Sequence, residues 1–114
     1  MRQQLEEILY GALSSVLPSF NEEAETESYP FAVFSLDYET LYTKDGAYAV
    51  KAECVIDVVA DSFDVANDRF RNGIKAVEDA LSGAGYMYRL DSDKKSCTEG
   101  IWVITTTFNI SKTI

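Results

Sequence analysis

The sequence predicts one α+β domain in which two helices cover one face of a four-stranded, mainly antiparallel sheet. Two segments carry apolar residues at helical spacing, and four segments alternate apolar and polar residues. Their order is helix, hairpin, helix, hairpin, so both apolar helix stripes are buried most simply against a single sheet face. The 114 residues are 46% hydrophobic, which suits one core, and we expect a single domain over residues 1–114.

The most regular stretch of the chain predicts a strand over 48–60 that leads directly into a helix over 62–82. The strand alternates for a dozen positions, which is typical of a sheet with one buried face. The helix has apolar residues at steps of three or four, namely Ala66, Phe70, Ile74, Val77 and Leu81. Asp61 or Ser62 can cap the start of this helix, and Gly83 favours its end.

The remaining elements follow from the same two periodicities. A helix is predicted over 2–17, where Pro18 stops it. Further strands are predicted near 31–42, 86–95 and 101–111, with an acidic loop over 19–28. The side chains expected to meet in the core are Leu9, Ile56, Phe70, Ile74 and Trp102. The sequence does not decide whether the second and third of the four strands are neighbours.

The parity of the pattern predicts how each hairpin is paired. A two-residue turn at Asp45-Gly46 would set apolar residues of one strand opposite charged residues of the other. A three-residue loop over 44–46 restores the match, with Gly46 at positive φ. The predicted pairs are Phe34–Ile56, Leu36–Cys54, Tyr38–Ala52 and Tyr42–Tyr48. A second three-residue loop over 98–100 predicts the pairs Leu90–Phe108 and Tyr88–Ile110.

The charge balance excludes several classes of partner. There are 19 acidic and 10 basic residues, and the net charge is -9. Phosphate backbones and anionic lipid surfaces repel such a protein, so we expect no nucleic-acid and no membrane partner. No apolar run approaches the roughly 20 residues of a membrane helix. The first ten residues have no continuous apolar core, so we expect the protein to begin in the cytoplasm.

The residue types also disfavour catalysis and metal binding. The chain has no histidine, so Ser-His and Cys-His nucleophile pairs cannot form. Cys54 and Cys97 are too few for a zinc site and are predicted to be free thiols. Alternation places Asp37 with Glu39, and Asp91 with Asp93, on one strand face each, but no pocket frames either pair. We expect no enzymatic activity and no cofactor or metal.

Two sets of residues are candidates for contacts with a partner. Six apolar residues fall on the sheet face that the helices do not cover: Phe31, Val33, Val55, Val59, Ile101 and Val103. An apolar sheet face that is open to water often marks an interface, although tails and loops can also shield it. The loop over 19–28 contributes four acids, Glu22, Glu23, Glu25 and Glu27. They form either a solvated, mobile loop or an electrostatic surface that faces a partner or a channel.

Five short segments over nearly the whole chain carry a resemblance to a known family. After a short amphipathic helix they are Tyr-Pro-Phe-Ala-Val-Phe at 29–34, Lys-Asp-Gly at 44–46, Glu-Cys-Val-Ile-Asp-Val-Val-Ala at 53–60, Asn-Asp-Arg-Phe at 67–70 and Phe-Asn-Ile at 108–110. In this order the sequence resembles the tail completion and tail terminator proteins of long-tailed bacteriophages and prophages. The resemblance implies a small α+β protein with a structural, non-enzymatic role.

The same resemblance implies partners and a location. Proteins of that family assemble as a ring, commonly a hexamer, that caps the tail tube and joins it to the head. Other copies of the chain, tail-tube proteins and head-connector proteins are then the expected partners. The protein would occupy the bacterial host cytoplasm during assembly and the virion tail afterwards.

A second hypothesis from another class is a small acidic inhibitor or immunity-type protein that masks a basic partner surface. Self-association distinguishes the two hypotheses, because a ring protein oligomerises or binds tail-tube protein. An immunity-type protein would instead be a monomer or dimer that binds a basic enzyme. A third hypothesis, a small-ligand module, would require a sizeable apolar pocket.

Overall fold

The computed structural model describes residues 2–21, 28–43 and 46–113. In chain order the elements are α1 (Arg2–Ser14), β1 (Ser19–Asn21), β2 (Phe31–Thr43), β3 (Gly46–Ala60), α2 (Phe63–Gly83), β4 (Met87–Thr98) and β5 (Ile101–Thr113). The strands form one mixed sheet in the order β1-β2-β3-β5-β4. The predicted α+β class with two helices is confirmed. The strand that follows β3 in the chain, β4, lies at the far edge of the sheet, and β5 separates the two.

The predicted strand count is wrong because the sheet has a fifth strand, β1. The segment Ser19–Asn21 was predicted to begin the acidic loop, yet it pairs in parallel with Ala32–Phe34. The Ala32 N–H donates to the Pro18 carbonyl at 2.8 Å, just before this pairing starts. Three residues are too few to show a two-residue period, so the sequence pattern carries no signal for this strand.

Both helices lie on one face of the sheet and share a core with it. Helix α1 ends at Ser14, three residues earlier than predicted, and a final turn follows in which the N–H groups of Val16 and Leu17 reach the Leu13 carbonyl. Helix α2 matches its predicted range within one residue. The helices touch where Gly73 is buried, since a Cβ there would lie 3.4 Å from Leu13 Cδ2.

The predicted core set is correct except for one side chain. Leu9, Ile56, Phe70 and Ile74 are buried in a single cluster that joins both helices to the sheet. Trp102 is only half-buried and packs against the rim of that cluster. It lies beside the first residue of α2, where the centre of the Phe63 ring is 4.9 Å from that of the Trp102 ring and the two rings are tilted by 59°. The helix begins too late to cover Trp102 fully.

The first hairpin confirms three of the four predicted pairs and corrects the fourth. Phe34–Ile56, Leu36–Cys54 and Tyr38–Ala52 are partners, and Gly46 has the predicted positive φ, at 119°. Tyr42 pairs with Ala47 and not with Tyr48, and the strands continue to a Thr43–Gly46 pair. The extra residue that restores parity is therefore a bulge within β3, where the prediction had placed it in the loop.

The second hairpin also has its extra residue within a strand and not in the loop. Tyr88–Ile110 and Leu90–Phe108 are partners as predicted. Strand β4 continues beyond its predicted end to Thr98, and only Glu99 and Gly100 form the turn, at φ 53° and 82°. The extra residue lies between Leu90 and Asp93. Parity fixes the pairs but does not say whether a loop or a strand absorbs the extra residue.

Candidate interaction surface

The sheet face opposite the helices, called the open face here, collects the six apolar residues predicted for it. Each of them is half-buried: Phe31, Val33, Val55, Val59, Ile101 and Val103. The strand register places Phe31, Val59 and Val103 in one row across β2, β3 and β5. Val33 and Val55 follow in the next two rows, and Ile101 lies by the turn, opposite Thr98. We call this half of the open face the apolar end.

Two aromatic residues that the sequence analysis missed extend the apolar end. The Phe20 ring meets Phe31 edge-on at 6.4 Å, and the Tyr29 ring stacks on Phe31 at 5.7 Å. Tyr29 remains 41% exposed. Phe20 reaches this position only because β1 pairs with β2 and sets Phe20 beside Val33. The sequence could have assigned Phe20 to the open face only if the parallel β1 strand had been predicted.

A hydrogen bond marks the middle of the open face. The Thr105 hydroxyl donates to an Asp57 carboxylate oxygen at 2.5 Å. The two residues are partners across β3 and β5, and Asp57 lies opposite Val33 on its other side. A half-buried carboxylate among apolar neighbours needs such a donor, because burial without one is costly. The bond lets the sheet carry a polar residue between apolar rows.

The other half of the open face, called the polar end here, is concave and charged. A groove of about 460 Å³ is lined by side chains that include Asp37, Glu39, Lys51, Glu53 and Arg89. Asp37 and Glu53 lie directly opposite each other on β2 and β3. Like charges at such positions destabilise a sheet. Apolar side chains such as Met87 and Ile110 also line the groove, so its walls are mixed in character.

Part of the polar end is neutralised within the chain. Arg89 Nε forms an ion pair with Asp91 Oδ1 at 3.1 Å, and Asn109 Nδ2 donates to the other Asp91 oxygen. Asp91 and Asp93 do not share a strand face as predicted. The bulge between Leu90 and Asp93 separates them, so Asp93 lies opposite the buried Thr106 while Asp91 stays on the open face.

Four of the predicted contact residues, Glu22, Glu23, Glu25 and Glu27, lie outside the described residues. The structure places the six apolar candidates on one surface, and the prediction for these four acids stays a prediction.

The cysteines are free, as predicted, and differ in their surroundings. Cys54 is buried beneath the helices, and burial raises the pKa of its thiol to about 12. Cys97 is exposed on β4. Within the part of the chain that the structure describes, no three His, Cys, Asp or Glu side chains are grouped so that they could hold a metal ion. No helix among residues 2–21 and 46–113 is long and apolar enough to span a membrane.

Comparisons with known proteins show which solved structures share this fold. No protein-family model matches the sequence, and no curated protein matches it. A chain in the virion of a native gene transfer agent particle matches in structure with a TM-score of 0.63 and 17% identity, covering 96% of this chain and 92% of that one. The bacteriophage SPP1 gp17 protein matches with a TM-score of 0.55 and 12% identity, covering 93% and 88%. At these identities the matches show a shared fold.

Proposed function

We propose that this protein is a structural component of a phage or phage-like particle, namely a tail completion or tail terminator protein. The observation that carries the proposal is the likeness to a chain of a gene transfer agent virion, which extends over 96% of this chain. The likeness to the bacteriophage SPP1 gp17 protein supports it independently. Both matches cover nearly the entire length of both partners, so the likeness concerns a whole small protein and not a shared fragment.

The proposed role is assembly at the head-proximal end of the tail tube. Copies of the chain pack into a ring that contacts tail-tube protein on one side and head-connector protein on the other. The protein would act in the bacterial host cytoplasm during assembly and remain in the virion tail. The role is non-enzymatic and requires no cofactor or metal, no membrane and no sequence-specific nucleic-acid contact. The net charge of -9 suits a ring through which DNA passes, since like charges prevent phosphates from adhering.

The open face supplies the surface for these contacts. Its apolar end presents Tyr29 at 41% exposure beside half-buried Phe31, Val59 and Val103. Aromatic residues are enriched in the buried centres of protein interfaces, where they contribute large contact areas. We assign subunit or tube contacts to this end. Glu22, Glu23, Glu25 and Glu27 are proposed to face the opening of the ring.

Deletion of the gene from its prophage tests the role directly. After induction, particles are imaged by electron microscopy, and a plasmid copy of the gene is supplied as the control. We expect headless tails or tails of irregular length without the gene, and normal particles when it is restored. Head-joined tails of uniform length in the deletion strain would refute the proposed function.

A further inference from the structure

The sheet has two outer edges that carry opposite charge on the open face. One is the part of β2 from Ser35 to Thr43, where β1 has ended, and we call it the acidic edge. The other is the part of β4 from Asp93 to Thr98, which we call the basic edge. Among the described ranges, no strand pairs with the outer side of either segment. Strand edges of this kind are templates for pairing with another chain.

Asp37 and Glu39 give the acidic edge its sign. Both are exposed on the open face. Asp37 has Glu53 directly opposite it on β3, so its nearest cross-strand neighbour repels it. Glu39 lies opposite Lys51. Within the described residues, neither acid forms an ion pair, and both carboxylates remain available to a partner that approaches from outside β2.

Lys94 gives the basic edge its sign on the same face. It is exposed, it lies opposite Thr105 and it forms no ion pair with a described residue. The six residues from Asp93 to Thr98 keep an unbroken register with β5, because the bulge in β4 comes before them. Lys95 points to the helix side, where its ammonium lies 5.4 Å from the centre of the Phe63 ring.

The charges favour one of the three possible edge pairings. Two acidic edges would bring Asp37 and Glu39 against the same acids, and two basic edges would bring Lys94 close to Lys94. Lysines on an edge strand are a common defence against such pairing. An acidic edge beside a basic edge relieves both repulsions, so the charges select the unlike pair.

The strand directions favour the same arrangement. Each step from β2 through β3 and β5 to β4 is antiparallel, so β2 and β4 run in opposite directions. A second copy placed beside the first in the same orientation would therefore continue the sheet with antiparallel pairing. β1 occupies the edge as far as Phe34 and sets the limit to which the incoming strand can extend.

We propose that a second copy of this chain docks its basic edge, Asp93–Thr98, onto the acidic edge of β2, with Lys94 opposite Glu39 and diagonal to Asp37. The inference rests on the proposed function and specifies the contact between subunits. The two surfaces in the contact differ, and repeated contacts of this heterologous kind generate rings when the rotation between copies closes.

Cross-linking between thiols on the open-face side of the two edges tests the contact in the purified protein. The background carries Cys97→Ser and Ser96→Cys, because Ser96 lies opposite Val103 on the open face whereas Cys97 lies opposite Trp102 on the helix side. In this background, Ser35→Cys places a second thiol on the acidic edge, opposite Val55 on the same face, and a short bismaleimide joins thiols of neighbouring copies. We expect ladders of dimers and higher species from Ser35→Cys. The control variant Asn72→Cys, on the exposed side of α2, should give none. Buried Cys54 should not react. Equal ladders from both variants, or none from Ser35→Cys at the highest soluble concentration, would overturn the inference.

Charge reversal tests the selection of the unlike pair. The variants D37K/E39K and K94E should each weaken association by about fivefold, and the triple variant should recover it. Thermal melting of each variant shows that the fold is intact. Failure of the triple variant to recover association would rule out this pairing. If K94E produces normal particles in the prophage while gene deletion does not, the edge contact is wrong and the proposed function stands.

Discussion

Successive residues of β3 and β5 lie on opposite faces of the sheet and meet different surroundings. Cys54, Ile56 and Phe108 are 0% exposed beneath the helices, whereas their neighbours Val55, Asp57 and Thr107 are half-exposed on the open face. The covered face is filled by apolar side chains that the helices require as partners. The open face combines an apolar end with an acid-rich groove. The difference indicates that one face maintains the fold while the other is free to serve contacts.

The largest stability effect is expected on the covered face. Phe70→Ala should lower the free energy of unfolding by about 3–5 kcal/mol, because it removes a large side chain from the centre of the α2 contact. Arg71→Ala, at the next and exposed position, is the control and should change it little. Urea denaturation measures both. Similar midpoints for wild type and Phe70→Ala would show that the covered face does not hold the fold.

Cys54 should make the stability of the covered face sensitive to alkaline pH. Its folded pKa is about 12, raised by burial from 9.0, so folding favours the protonated thiol. The contribution of the protonated Cys54 thiol to the free energy of unfolding is complete below about pH 9 and is lost as the pH rises toward 12. Wild type should therefore lose more stability over this range than Cys54→Ala does. Parallel pH curves for the two proteins would contradict a proton held by burial.

A smaller effect is expected in the middle of the open face. Thr105→Val removes the donor to Asp57 and leaves a half-buried carboxylate without its hydrogen bond. The free energy of unfolding, measured by chemical denaturation, should fall by about 1 kcal/mol. Thr107→Val, two residues along the same strand face, removes a hydroxyl that bonds no described residue. Equal costs for both variants would mean that the Thr105–Asp57 bond contributes nothing.

The sequence patterns predicted the division into faces well, because the two-residue period of a strand assigns every side chain to one side. They also predicted five of the six hairpin pairs, since parity tolerates an extra residue anywhere between the pairs. The pair Tyr42–Tyr48 failed for the same reason: the bulge lies in β3 and not in the loop. Long strands show the two-residue period over many positions, so their faces can be predicted. Parity does not determine where within the hairpin the extra residue lies.

The features that the sequence did not predict depend on packing between segments that are distant in the chain. Strand β1 has three residues and forms only because the chain returns beside β2, so Phe20 could not be assigned to the open face. Trp102 shares the apolar parity of buried Ile104, but its exposure depends on where α2 begins. The sequence therefore predicted most of the candidate surface and omitted the aromatic pair, Phe20 and Tyr29, at its margin.

The smallest stability effect is expected at Tyr29. Tyr29→Ala truncates a ring that is 41% exposed, so the free energy of unfolding should change by less than about 0.5 kcal/mol. Tyr10, 54% exposed on α1 and on the helix side of the sheet, provides an aromatic control that is not on the open face. Thermal melting of Tyr29→Ala and Tyr10→Ala should give nearly equal midpoints. A much lower melting midpoint for Tyr29→Ala would show that the Tyr29 ring stabilises the fold and is not reserved for contacts with a partner.

Particle assembly by these two variants tests whether the apolar end of the open face serves assembly. A prophage strain that lacks the gene is complemented with wild type, Tyr10→Ala or Tyr29→Ala, and the induced particles are counted by electron microscopy. We expect head-joined tails with wild type and Tyr10→Ala, and a marked loss of them with Tyr29→Ala at equal protein level. Full restoration by Tyr29→Ala would contradict the claim that the apolar end of the open face serves assembly.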